Sequence, residues 1–108
     1  MTTKTVWLAF DLGVRGDYEG LYVFLAEVNA KECGGNLAVF TFQFQDDLIK
    51  ELKAAIKGQM KFDKRSRLYV MYTKPDGKPT GKFIVGGRKS PPWAGYGVVG
   101  VDEEDVSE

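Results

Sequence analysis

The chain is 108 residues long, with 44% hydrophobic and 28% charged side chains and a formal net charge of zero. That is the make-up of one globular domain with a single core. No histidine and a single cysteine are present, which excludes imidazole acid–base catalysis, His-dependent nucleophiles, internal disulfides and Cys-rich zinc sites.

Residues 5–10 are a β-branched and aromatic run of strand length that stops at Asp11. The glycines and aspartates of 11–17 make a loop, and Asp17 is placed to cap a helix whose first amides need an acceptor. Tyr18, Leu21, Tyr22, Leu25 and Val28 recur at helical spacing as a core-facing stripe, and Gly34-Gly35 is the expected stop. Residues 36–44 form a strand with Phe40, Phe42 and Phe44 on one face. Leu37, Val39 and Thr41 lie on the other, apolar enough for much of the strand to be covered on both sides. Asp46-Asp47 opens a second helix through about Lys57, with Leu48, Ile49, Leu52, Ala55 and Ile56 inward and Lys50, Lys53 and Lys57 outward.

Residues 67–73 and 80–85 are strands joined by Pro75-Asp76-Gly77, a turn in which proline presets the first corner and glycine accepts positive φ. Residues 88–92 are expected as an extended linker, 96–101 as an optional last strand and 102–108 as a disordered acidic tail. No apolar run nears the roughly 20 residues that span a bilayer, so no membrane is expected. Residues 1–5 show no signal-peptide pattern, and sparing use of cysteine suits a reducing, cytoplasmic compartment.

The order β-α-β-α-β-β puts two helices on one face of a mostly antiparallel four- to five-stranded sheet. This is an α+β, ferredoxin-like two-layer sandwich, one domain over 1–101. The ideal order asks for one more strand between the helices. Either Gly35–Phe44 bends into two short pieces or the last hairpin supplies it. The other face of the sheet stays bare, and part of the set Trp7, Phe40, Phe42, Phe44, Tyr69, Met71 and Phe83 must lie there. A patch of that size predicts a homodimer, by stacking of sheets or by exchange of the 96–101 strand.

Neutrality hides three blocks. Residues 1–49 hold three basic and seven acidic side chains, residues 50–89 twelve and three, and residues 90–108 none and five. The middle block points to a polyanion such as DNA or RNA, or else to a solvated lysine-rich helix face. The candidate phosphate contacts are Lys50, Lys53, Lys57, Lys61, Lys64, Arg65, Arg88 and Lys89. Glycine, base and aromatic mix over 86–97, so Trp93 is a candidate to stack on a base; its other reading is packing onto the sheet edge. The segment Gly77-Lys78-Pro79-Thr80-Gly81-Lys82-Phe83 fails as a phosphate loop, because three residues separate its glycines, Phe83 follows the lysine, and the setting is a hairpin. Asp11, where a strand hands over to a glycine-bearing loop, is a candidate ligand for a hard cation such as Mg²⁺, or an Asx-turn residue. Cys33, placed at a helix C-terminus, is expected to be inert.

Several runs follow one another over roughly residues 4–74. They are Val6-Trp7-Leu8-Ala9-Phe10-Asp11, a helix closing at glycine, Ala38-Val39-Phe40, the short helix around Asp47-Leu48-Ile49-Lys50-Glu51-Leu52, and Arg67-Leu68-Tyr69-Val70-Met71-Tyr72. In order and spacing the pattern resembles the small CRISPR-associated ferredoxin-like nuclease of the spacer-adaptation complex and its relatives, the virulence-associated protein D toxins. The resemblance implies a homodimer in which the first-strand aspartates of two protomers face each other and bind Mg²⁺ or Mn²⁺ for phosphodiester hydrolysis. Asp11 is the matching position. The chain departs from the pattern in offering Arg15 alone where the family has an Arg-rich helix start, and in a longer 74–82 hairpin and proline-rich linker.

The expectation is a nucleic-acid-binding, ferredoxin-like homodimer, with Asp11 as the catalytic and metal-binding residue of a Mg²⁺-dependent endonuclease. The alternative is a non-catalytic homodimeric interaction or regulatory module. A continuous positive face on the second helix and its following loop favours the first. Cations neutralised by the N-terminal acids favour the second.

Overall fold

The structure is a computed structural model describing residues 1–87 and 90–97. Its elements are β1 (Thr2–Asp11), α1 (Tyr18–Glu27), β2 (Lys31–Glu32), β3 (Leu37–Phe44), α2 (Leu48–Lys57), β4 (Arg67–Thr73) and β5 (Pro79–Val85). The strands form one sheet in the order β2-β3-β1-β4-β5, antiparallel at every pairing. The first four strands with the two helices make the ferredoxin-like arrangement, and β5 extends it along the edge of β4.

Alternation along the strands decides which face meets the helices. Val6, Leu8 and Phe10 of β1, Phe40 of β3, and Leu68 and Val70 of β4 are buried with Leu21 and Phe24 of α1 and with Leu52 and Ile56 of α2. Phe24 meets Phe40 edge-on, at 5.7 Å between ring centroids. Asp17 caps α1 by accepting from the Gly20 amide, and Asp47 caps α2 by accepting from Lys50. No helix among the described residues is long and apolar enough to cross a membrane.

Several expectations are corrected. α1 stops at Glu27, well before Gly34-Gly35. Asn29 supplies the left-handed turn at φ 55°, which its short polar side chain tolerates. The residues so released form β2, paired Lys31 to Val39 and Glu32 to Ala38. Thus neither a bent β3 nor the last hairpin supplies the missing strand. Gly34-Gly35 instead turns β2 into β3, and Cys33 is exposed in that hairpin, not at a helix end. In α1 the inward positions are Gly20, Leu21 and Phe24, while Tyr22 is 53% exposed. β1 starts at Thr2, because the register with β3 continues to Thr2–Phe44.

Phe42 and Phe44 pack against the core on the helix side. The outer face therefore carries Trp7, Tyr69, Met71 and Phe83, with Val39 and Met71 flanking Trp7. The expected linker is not extended over its described part. Ala94 donates to the Pro91 carbonyl and Tyr96 to the Trp93 carbonyl, both at 3.0 Å, so residues 91–97 run in successive turns. Arg88, Lys89, the expected strand beyond Gly97 and the tail from Asp102 lie outside the described residues.

Candidate functional site

β1 ends at Asp11, which the sheet register places opposite Arg67, the first residue of β4. The guanidinium donates to the Asp11 carboxylate at 2.9 Å, and the Gly13 amide donates to the other oxygen at 3.2 Å. The second contact is the Asx-turn geometry that the loop glycines predict. Beside this pair the β1–α1 loop is stitched to the α2–β4 loop. Asp17 accepts from Gly20 at 2.9 Å with one oxygen and from the Lys61 amide at 2.8 Å with the other.

The Lys61 amide, then that of Gly20, holds the Asp17 carboxyl below its ordinary value of 3.8. Glu51 is lowered in the same way by the amides of Asp47, Asp46 and Gln45. A lowered carboxyl stabilises the fold above its ordinary pKa and loses that contribution as pH falls through the lower folded value. These bonds therefore weaken only in acid, below about pH 4–5.

The same pattern recurs in Asp63, which accepts from the Arg65 amide and the Ser66 hydroxyl, and in Asp47, which accepts from the Lys50 amide. The acids around the basic block thus bond chiefly to backbone amides, although the Lys61 charge also helps to lower the Asp17 carboxyl. Among the described residues the one ion pair is Arg67 with Asp11. Lys50, Lys53 and Lys57 are exposed along one side of α2, and Lys61, Lys64 and Arg65 are exposed in the loop that follows.

A cavity of about 600 Å³ opens on the outer face of the sheet, bounded by Asp11 and Arg67 at one end. Tyr69 and Phe83 wall it from β4 and β5, and Pro92 and Trp93 from the segment that folds back over the sheet. The Tyr69 ring fills the notch left by Gly81, where a Cβ would sit 2.6 Å from the phenol oxygen. It meets Phe83 edge-on at 5.0 Å. Trp93 lines the same cavity yet is 72% exposed.

The structure brings Asp11 and Trp93, predicted for separate roles, to one cavity. It leaves Lys50, Lys53, Lys57, Lys61, Lys64 and Arg65 on the helix and its loop. Arg67, Tyr69 and Phe83 were missed as site residues. Alternation in β4 carried a signal for the first two, because Arg67 and Tyr69 share the face opposite buried Leu68 and Val70.

Mg²⁺ is usually held by one or two protein carboxylates with water and phosphate. No group of three or more His, Cys, Asp or Glu side chains placed to hold a metal ion occurs among the described residues. Asp11 is a single carboxylate already engaged by Arg67 and the Gly13 amide. One protomer therefore does not fit a hard-cation centre at Asp11. Compared with known proteins, the chain matches no family, no curated protein and no solved structure.

Proposed function

We propose that the chain binds nucleic acid, DNA or RNA, through the cationic side of α2 and the loop that follows it. The supporting observation is that the neighbouring acids are committed to backbone amides. The six cations from Lys50 to Arg65 are exposed and make no ion pair among the described residues, and Lys61 acts on a nearby carboxylate, Asp17, only at longer range. Such a surface binds phosphates by releasing their condensed counterions. Labelled oligonucleotides titrated at low and at near-physiological salt test it. Binding at low salt that falls by orders of magnitude as salt rises is the expected result; absence of binding at low salt overturns it. Cleavage at Asp11 would ask for a second carboxylate, such as Asp11 of another copy, so the proposal is binding and no hydrolytic step is derived.

The outer face favours a second reading, a non-catalytic module that pairs with a second copy of itself. Trp7 is 38% and Phe83 45% exposed on one apolar surface, and monomers seldom leave such a patch in water. Light scattering should then give twice the chain mass. A solution mass near 12.0 kDa overturns the pairing.

A further inference from the structure

The cavity on the outer face has features that the cationic surface of α2 does not explain. Its walls are aromatic, and they are held in place. Tyr69 is pinned between Gly81 and Phe83, and the backbone around Trp93 is fixed by two turn hydrogen bonds. Gly86, just past β5, lies against the start of β4 beside Arg67. It adopts φ 71°, and a Cβ there would lie 2.2 Å from the Ser66 carbonyl oxygen. Only glycine permits that backbone conformation so close to Ser66. Trp93 borders an aromatic floor and is itself mostly open to solvent.

At the end of this slot sits Arg67. Of its five N–H donors one goes to Asp11, and the others meet no further acceptor among the described residues. Asp11 therefore holds the guanidinium at the mouth of the slot with donors to spare. The occupant that matches is planar, apolar on its faces and rich in acceptors along one edge. A volume of about 600 Å³ falls in the usual range of roughly 300–1,000 Å³ for small-molecule sites and admits a nucleoside. α2 packs on the helix side of the sheet and the slot opens on the outer face, so a strand held on α2 reaches the slot only around the α2–β4 loop, where the Arg65 side chain lies against Gly13 beside Asp11.

We propose that this cavity takes one unstacked base of a single-stranded nucleic acid, stacked on Trp93 and Phe83, with its acceptor edge on Arg67. Guanine suits Arg67 best, because its O6 and N7 together accept from one guanidinium. The inference rests on the nucleic-acid reading above and adds strand form and base preference to it.

Three labelled probes at low salt test the idea: a dT run, the same run carrying one dG, and the duplex of the second. The dG strand should bind roughly tenfold tighter than the plain dT run. Trp93→Ala should weaken both single strands roughly tenfold and leave the duplex unchanged, and Trp93→Phe should restore them. Trp93 is exposed, so its truncation does not endanger the fold. Arg67→Lys should abolish the dG preference while dT binding persists. Single strands that bind Trp93→Ala as tightly as the unaltered chain overturn the base site and leave the cationic surface standing. Failure of all three probes to bind at low salt overturns the nucleic-acid reading itself.

Discussion

Replacing Gly20 with alanine is expected to lower the stability of the fold by about 3 kcal/mol, the upper end of what overpacking usually costs. Helix propensity alone predicts the opposite sign, a gain of roughly 1 kcal/mol for removing a glycine from a helix. Packing decides the matter. A Cβ at Gly20 would lie 2.5 Å from the Gln59 carbonyl oxygen, 2.7 Å from the Met60 Cα and 2.5 Å from the Asp17 carboxylate. Two of these three atoms are backbone, so no rotamer change relieves the clash. The α2–β4 loop must move away from α1, and the Lys61–Asp17 bond that joins the two loops stretches with it. Gly58→Ala is the control. Its nearest atoms lie at 3.5 and 3.6 Å and its φ is −70°, so the propensity gain of up to about 1 kcal/mol stands there. Thermal or urea unfolding followed by circular dichroism should show opposite signs for the two variants. A Gly20→Ala chain as stable as the parent would show that the seam is looser than its geometry.

Where local chemistry and tertiary demand agree, the elements were legible. α2 has one clean stripe, and the structure buries Leu48, Leu52 and Ile56 of it. Pro75-Asp76-Gly77 makes the β4–β5 hairpin, with Gly77 at φ 88°. Asp17 and Asp47 cap as carboxylates before apolar-periodic runs should. β2 was not legible, because Lys31-Glu32 has neither alternation nor β-branched residues. It is a strand only through the hydrogen bonds that β3 offers it. The face of α1 was ambiguous for a related reason. Tyr22 and Phe24 are both aromatic, and contact with Phe40 selects Phe24 for the interior.

The candidate site divides the same way. Asp11 was visible as a carboxylate at a strand end, and the lysines of α2 were visible from helical spacing. The partner of Asp11 was not, because Arg67 stands opposite it only in the β1–β4 register, fifty-six residues away along the chain. The cavity depends on a still less local fact. Trp93 lies over the outer face with Tyr69 and Phe83, whereas the prolines of 91–92 by themselves suggest a linker leading away. A turn that returns and a linker that departs use the same residue types.

Neutralising the outward side of α2 should have the largest effect on binding. Lys50→Gln, Lys53→Gln and Lys57→Gln together keep good helix formers at exposed positions. They sacrifice only a few tenths of a kcal/mol of favourable dipole interaction at Lys57. The three positions span about 10 Å of helix axis, close to three base steps along one strand at roughly 3.4 Å each. Each lost phosphate contact removes roughly 0.9 from the slope of log affinity against log salt on duplex DNA, so the triple variant should be shallower by about 2–3. Affinity at low salt should drop on the order of 10²–10³. The matched control is Lys31→Gln, Lys74→Gln and Lys78→Gln. It removes the same charge from β2 at the far edge of the sheet and from the β4–β5 turn, which lies at the end of β4 away from Arg67. If contact geometry governs binding, this control retains nearly the parental slope. If both triple variants lose slope equally, net charge alone governs binding, and the side of α2 is not an interface.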